Sequence, residues 1–371
     1  MSTSLAELAR SEIVQMLHDD SLCQSLACDT RTIIGMPEVD AILEEALVEG
    51  IPLCSSALPV LLAHVRHFDD DRVRLAHLDE LPCSSIVAMA AHPACLRIEL
   101  HQCCAVVEPL SDEVCLEPAI QRGAAPACPP CMSITCSRCF QSHRSATAAG
   151  ATTPAHWIGH ACQVATARGK RVHSVAIEKC AGEWDLAELL QLTWAPALAQ
   201  LALVQCTVRC GSPLLFALPA LCTLNLRHCD GVTDTLLRHL LAEPASALTH
   251  VDLHATAITG QGVVLLAQAC PRLSYLDVSD TRCADAELAQ AMQAAPNLCH
   301  VDVSNVPTLT PSMWDLLTSA SLGSAVRRHI HCAGSGAEAI DEELAARLDS
   351  ECNIQAHVSG TLAEPTAFKV M

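Results

Sequence analysis

The sequence predicts an α/β solenoid: short parallel strands on one face, helices on the other, repeated along the chain. Three observations carry this. An apolar frame recurs in LCTLNLRHC from Leu221, LTHVDLHAT from Leu248, LSYLDVSDT from Leu273 and LCHVDVSNV from Leu298, at steps of 27, 25 and 25 residues. Of the 371 residues, 51% are hydrophobic but only 2% aromatic, which suits many thin, similar layers rather than one aromatic-centred core. Each copy is followed by a helix start, as in Val232-Thr233-Asp234, Ile258-Thr259-Gly260 and Leu110-Ser111-Asp112, where Ser, Thr and Asp cap the first orphan amides. Leu236, Leu237, Leu240 and Leu241 then recur at helical spacing on one face.

Residues 1–82 hold 15 acidic and 5 basic residues and read as an acidic helical cap, with helices over Leu5–Leu17, Val39–Leu47 and Leu58–Phe68. Solenoid ends need such polar caps. VRLAHLDEL from Val73 reads as a further degenerate copy beginning at Val73. Residues 83–323 carry about eight copies. Before the four above come CLRIELHQC from Cys95, CMSITCSRC from Cys131, VHSVAIEKC from Val172 and LAQLALVQC from Leu198, with irregular spacing over 104–171. In every copy the first, fourth and sixth positions should face the core. The ninth is Cys103, Cys139, Cys180, Cys206 and Cys229 in five copies, where Cys acts as a small buried hydrophobe with a weak donor. Residues 324–371 read as a C-terminal degenerate repeat and cap, with strands in 325–332 and 352–358 around a helix over 337–348.

The frame L-x-x-L-x-L-x-x-C with its V/I-T-D helix start resembles the cysteine-containing leucine-rich repeats of ribonuclease-inhibitor-like horseshoes and of the repeat half of F-box adaptors. The resemblance implies parallel strands on a concave face, helices on a convex face, a protein-interaction role and no catalytic residues. An F-box within 1–82 would make the chain a substrate adaptor of a ubiquitin ligase, but the opening Leu-Pro and later Trp of that family have no match there; the first Trp is Trp157.

Composition excludes several function classes. The net charge is −19, and three residues are Lys (Lys170, Lys179, Lys369), so the cationic stripe that nucleic acid or an anionic membrane requires is missing. Of the two uncharged stretches, between Glu188 and Arg209 and between Arg209 and Arg227, the first is interrupted by Gln191, Pro196, Gln200 and Gln205, against a membrane hairpin. The opening MSTSLAELARSEIV has no basic and apolar leader pattern, and 23 cysteines then point to free thiols in a reducing, cytoplasmic compartment. No phosphate loop, dinucleotide turn or nucleophile elbow occurs, so no enzyme is expected.

Two constellations remain. Cys128, Cys131, Cys136, Cys139 and His143 have the ligand types of a tetrahedral zinc site, which would make 128–143 a metal-binding regulatory module. Against it, Cys131, Cys136 and Cys139 fall on frame positions one, six and nine, which the core would take. The second lies at positions three, five and seven of the last copies: His250, Asp252 and His254; Tyr275, Asp277 and Ser279; His300, Asp302 and Ser304, adjoined by Thr223, Asn225 and Arg227. Strand side chains alternate, so these line the concave face, with three Asp one strand spacing apart. Such a ladder is either solvated or attracts a cation or a basic partner. The expectation is therefore a scaffold binding a protein partner, possibly basic, through Arg227, His250, Asp252, His254, Tyr275, Asp277, His300 and Asp302, with no cofactor required.

Overall fold

The computed structural model describes residues 72–76, 81–93, 95–103, 105–106, 129–139, 153–190, 193–210, 218–241, 247–321 and 326–358. The expected helices within 1–71, the helix start at Leu110-Ser111-Asp112, and Cys128 and His143 lie outside these residues. The chain divides into two compact units, Met1–Trp184 and Asp185–Met371.

In the first unit, β1 (Arg72–Ala76), β2 (Arg97–His101), β3 (Cys131–Ser137) and β4 (Arg171–Glu178) pair in that order, every pair parallel. Helices α1 (Cys83–Ala91) and α2 (Pro154–Ala167) accompany them. In the second unit β5 (Gln200–Val204), β6 (Thr223–Asn225), β7 (His250–Asp252), β8 (Tyr275–Asp277), β9 (His300–Asp302), β10 (Arg328–His331) and β11 (Ile354–His357) pair in the same parallel manner. Between them run α3 (Asp234–Leu240), α4 (Gly260–Ala269), α5 (Asp285–Ala294), α6 (Ser312–Ser321) and α7 (Glu342–Cys352). Each unit is a leucine-rich-repeat stack, as the frame predicts.

The frame explains the layers residue by residue. Positions four and six are buried in each copy, from Ile98 and Leu100 to Leu224 and Leu226, Leu276 and Val278, and Val301 and Val303. A single strand–helix unit cannot bury its own apolar row, so each one rests on its neighbours. Thr233 and Thr259 cap α3 and α4 by accepting from the amides of Leu236 and Gln261. Successive helix starts are also tied together: Asp234 accepts from the Thr259 amide at 2.8 Å and its hydroxyl at 2.6 Å. Asp285 takes the amide and hydroxyl of Thr310 in the same way.

Position eight marks the register more sharply than any apolar residue. Gln102, Arg138, Lys179, Gln205, His228, Ala255, Asp280 and Asn305 all have φ between 52° and 56°. The left-handed turn aims the position-eight amide along the stack; His228 donates to His254 O at 2.8 Å and Asp280 to Ser304 O at 3.0 Å. At position nine the Cys103 thiol donates to Leu75 O at 3.6 Å, Cys139 to Leu100 O at 3.5 Å, Cys180 to Cys136 O at 3.6 Å and Cys229 to Leu203 O at 3.0 Å. In each case the acceptor is the position-six carbonyl of the preceding copy. Cysteine is used there because it fills a small apolar slot and still offers one donor; burial raises the Cys229 pKa to about 11, so it stays a thiol.

Two expectations are corrected. The copy starting at Val73 exists, but Val73 pairs with Ile98 and Leu75 with Leu100, so Val73 holds position four, not position one. Cys131 was expected in the core and is exposed, while Met132 is buried. The cause is a register shift: Met132 pairs with Val172 and Ser133 with Ser174, leaving His173 as an extra residue in β4. β3 therefore alternates strictly, with Met132, Ile134 and Cys136 inward.

No helix among the described residues is long and apolar enough to cross a membrane.

Candidate functional site

The open face of the β6–β11 sheet carries two aligned rows. The parallel register places Thr223, His250, Tyr275, His300, His329 and Gln355 in one row, and Asn225, Asp252, Asp277, Asp302, His331 and His357 in the next. Every residue expected at positions three and five from β6 to β9 is thus brought together.

The carboxylate row differs from its expected state. Asp252 and Asp302 are each only 4% exposed, so they are not simply solvated. Each closes a turn at its strand end: Asp252 Oδ1 accepts from the His254 amide at 3.0 Å, and Asp302 Oδ1 from the Ser304 amide at 2.9 Å. Asp277 Oδ1 accepts the Ser279 amide at 2.9 Å and its hydroxyl at 2.5 Å. Asn225 does the same for the Arg227 amide at 3.1 Å. Asx side chains that bond the backbone two residues on are an ordinary turn device. Burial, with the Asp302 charge adding to it, raises the Asp277 pKa above the usual carboxylate value despite the Ser279 bonds.

Imidazoles dominate the rest of the face. His250 stacks on Tyr275 with centroids 6.0 Å apart and planes 20° apart, and Thr249 Oγ1 lies 2.9 Å from its Nδ1. His254 Nδ1 reaches Ser279 Oγ at 2.6 Å and Asp280 Oδ2 at 3.5 Å, and its ring meets His228 edge-on at 4.5 Å. Further along, His300 stacks on His329 at 4.9 Å, His329 on His357 at 5.7 Å and His357 on His331 at 4.3 Å.

His329, His331 and His357 were not foreseen. Arg327 stands where the frame wants Leu, so the copy in β10 breaks the apolar pattern in the sequence. The signal was nevertheless present: Ile330 and Cys332 at positions four and six, Gly334 at position eight with φ 70°, and Ser335 at position nine, its hydroxyl donating to Cys332 O at 2.7 Å. In that frame His-Ile-His presents two imidazoles on the open face.

The described members of the cysteine set, Cys131, Cys136 and Cys139, do not converge. Cys131 and Cys136 lie on opposite faces of β3, the first exposed and the second fully buried. Cys139 is engaged with Leu100 O and, at 3.4 Å, Ser137 O. Burial, before any effect of neighbouring thiols, raises the Cys136 pKa, which opposes the thiolate a metal ligand must become. Among the described residues no three His, Cys, Asp or Glu are placed to hold a metal ion.

No known family's pattern matches the chain, nor does any curated protein. Among solved structures it is similar to an internalin of Listeria monocytogenes, at 11% identity and TM-score 0.37 over 94% of this chain and 98% of that one. It is similar to Drosophila Toll from its complex with Spatzle, at 13% and 0.38 over 74% of this chain and 38% of that one. A yeast complex of Rad7 and Elc1 gives 11% and 0.32 over 95% of this chain and 91% of that one. At these identities and scores none of the likenesses bears on function.

Proposed function

We propose that this protein is a non-enzymatic scaffold of a reducing compartment that binds a protein partner on the open face of β6–β11. One observation carries the reading: six short strands in unbroken parallel register bury their apolar rows and set polar and aromatic rows on the opposite face. A partner meets a surface already ordered by backbone bonding, so little entropy is lost on binding. The contact residues are Arg227, His250, His254, His300 and the shielded Tyr275, Asp252, Asp277 and Asp302, extended by His329, His331 and His357. Tyr275, the single Tyr of the chain, is 5% exposed, so it serves the face chiefly as the support on which His250 stacks. The acidic row favours a basic segment, with Asp280 supplying its exposed charge and the capped carboxylates supplying field.

The test uses Asp252→Asn, Asp277→Asn and Asp302→Asn together. Asn225 already closes the equivalent turn with an amide oxygen, so the triple variant keeps its caps and should unfold within about 1 kcal/mol of wild type in urea. Its association with the partner recovered by affinity purification should slow by about tenfold and lose most of its salt dependence in stopped-flow measurements. Unchanged rate and salt response would place the partner on another surface.

A further inference from the structure

We propose that the stacked imidazoles of β9–β11 form a proton-operated switch: neutral rings hold the last strands of the second unit together, and their protonation at mildly acidic pH releases β10 and β11. Its bearing on partner binding rests on the open-face reading above; the switch itself does not.

The geometry comes first. His300, His329, His357 and His331 form a continuous chain of rings, with successive centroids 4.9, 5.7 and 4.3 Å apart and interplanar angles of 11°, 22° and 11°. His329 Nδ1 and His357 Nε2 lie 3.4 Å apart, a contact that one proton can bridge and two would break. Parallel rings at such distances stack well when neutral and repel when more than one is charged.

The groups facing the array can offset only part of that charge. From β7 comes His250, another base; from β8 come Tyr275 and Asp277, and from β9 Asp302. From β10 comes Arg327, cationic and already engaged with Asp349 of α7 at 2.9 Å, whereas Arg328 points to the core side of the strand and donates to Met292 O. Asp277 and Asp302 are both committed to their turns. Two capped carboxylates thus face four imidazoles, so the first protons are tolerated and the later ones are not.

The direction follows. Burial, then the charges of His331, His250 and His357, lowers the His300 pKa; burial, then His300, His357 and Arg327, lowers that of His329. At His300 and His329 the folded chain therefore binds fewer protons than the unfolded chain below about pH 6.5, and the stability these rings contribute, complete above that value, is lost as the pH falls toward the lowered folded values. The loss concentrates at β11, the last strand among the described residues, which is held by β10 and by the α7 turn at Asn353, because repeats can open locally without unfolding the rest.

Hydrogen exchange of the full-length protein, read by mass spectrometry with no partner present, tests the switch. After correction for intrinsic rates, peptides spanning 326–358 should exchange about tenfold faster at about pH 5.5 than at about pH 7.5, while those spanning 248–280 change less than about twofold. In a His329→Gln, His357→Gln variant, which keeps polar side chains without the charge, the response of 326–358 should fall below about threefold. As a readout that needs no variant, imidazole NMR should show His300 and His329 titrating below the ordinary histidine value and in coupled steps. Equal protection at both pH values, four independent ordinary titrations, or an undiminished response in the double variant would each overturn the switch. Because no partner is present, such a failure leaves the open-face reading untouched, and failure of the Asp→Asn test leaves the switch untouched.

Discussion

Gly231→Ala should cost about 3–5 kcal/mol. Gly231 has φ 84°, and a Cβ there would lie 2.1 Å from the carbonyl oxygen of Val208. Two penalties combine. The left-handed backbone costs an L-residue about 1 kcal/mol, and a methyl inside the van der Waals shell of a backbone oxygen cannot be relieved by a rotamer change. Relief requires the two copies to part, which strains the Val208 amide to Asp230 O bond of 2.8 Å and the bridge between Thr207 and Asp230. Gly169→Ala supplies the comparison. Its φ is 80°, yet nothing lies within 4 Å of the added atom, so it should lose only the backbone cost, about 1 kcal/mol. Urea unfolding of both variants, with local exchange assigning each loss to its segment, separates the terms. If the two substitutions cost the same, crowding at Val208 is not what requires glycine at 231.

Much of this architecture was legible because burial in a stack is periodic and apolar residues report burial directly. Leu224, Leu226, Leu276 and Val278 occupy the core where the frame placed them, and Thr233 and Thr259 cap the helices they precede. What stayed illegible depends on contacts between copies. The position-eight residues include Gln102, Lys179 and His228, side chains that announce no left-handed turn; the turn is imposed by the next copy's position-seven carbonyl. Met132 replaces Cys131 in the core because β4 carries one residue more than β3, and no property of β3 alone records that. The three Asp of the open face read as free charges in a linear sequence, although each spends an oxygen on its own backbone. The imidazole array was hidden by one substitution, Arg327 at position one, which broke the apolar pattern while leaving the fold of that copy intact.

Lys170→Met is expected to destabilise the first unit by about 3–5 kcal/mol, although the change preserves side-chain volume and removes one of only 22 basic residues from an acidic chain. Lys170 is 4% exposed. Its ammonium donates to Ala90 O at 2.8 Å, His92 O at 2.5 Å and Cys95 O at 2.6 Å. Those carbonyls close α1 and begin the path into β2, where the last carbonyls of a helix lack intrahelical donors and carry its negative end. One cation thus satisfies three acceptors that the turn brings together, and Met would leave them without it. The titration of Lys170 provides a second reading. Burial lowers its pKa to about 8, below the ordinary value near 10.4, so the ammonium form still prevails at neutral pH. Between those two values the folded chain binds fewer protons than the unfolded one, and linkage makes this residue's contribution more favourable as the pH rises. Buried thiols such as Cys229, whose pKa is raised by burial, act in the opposite direction, so the overall stability of wild type does not isolate the lysine. The difference between wild type and Lys170→Met does, because the thiols are common to both. That difference should widen from about pH 8 to about pH 10. A difference that is small at neutral pH and flat across that window would mean that solvent or a rearranged turn satisfies the carbonyls as well as the ammonium does.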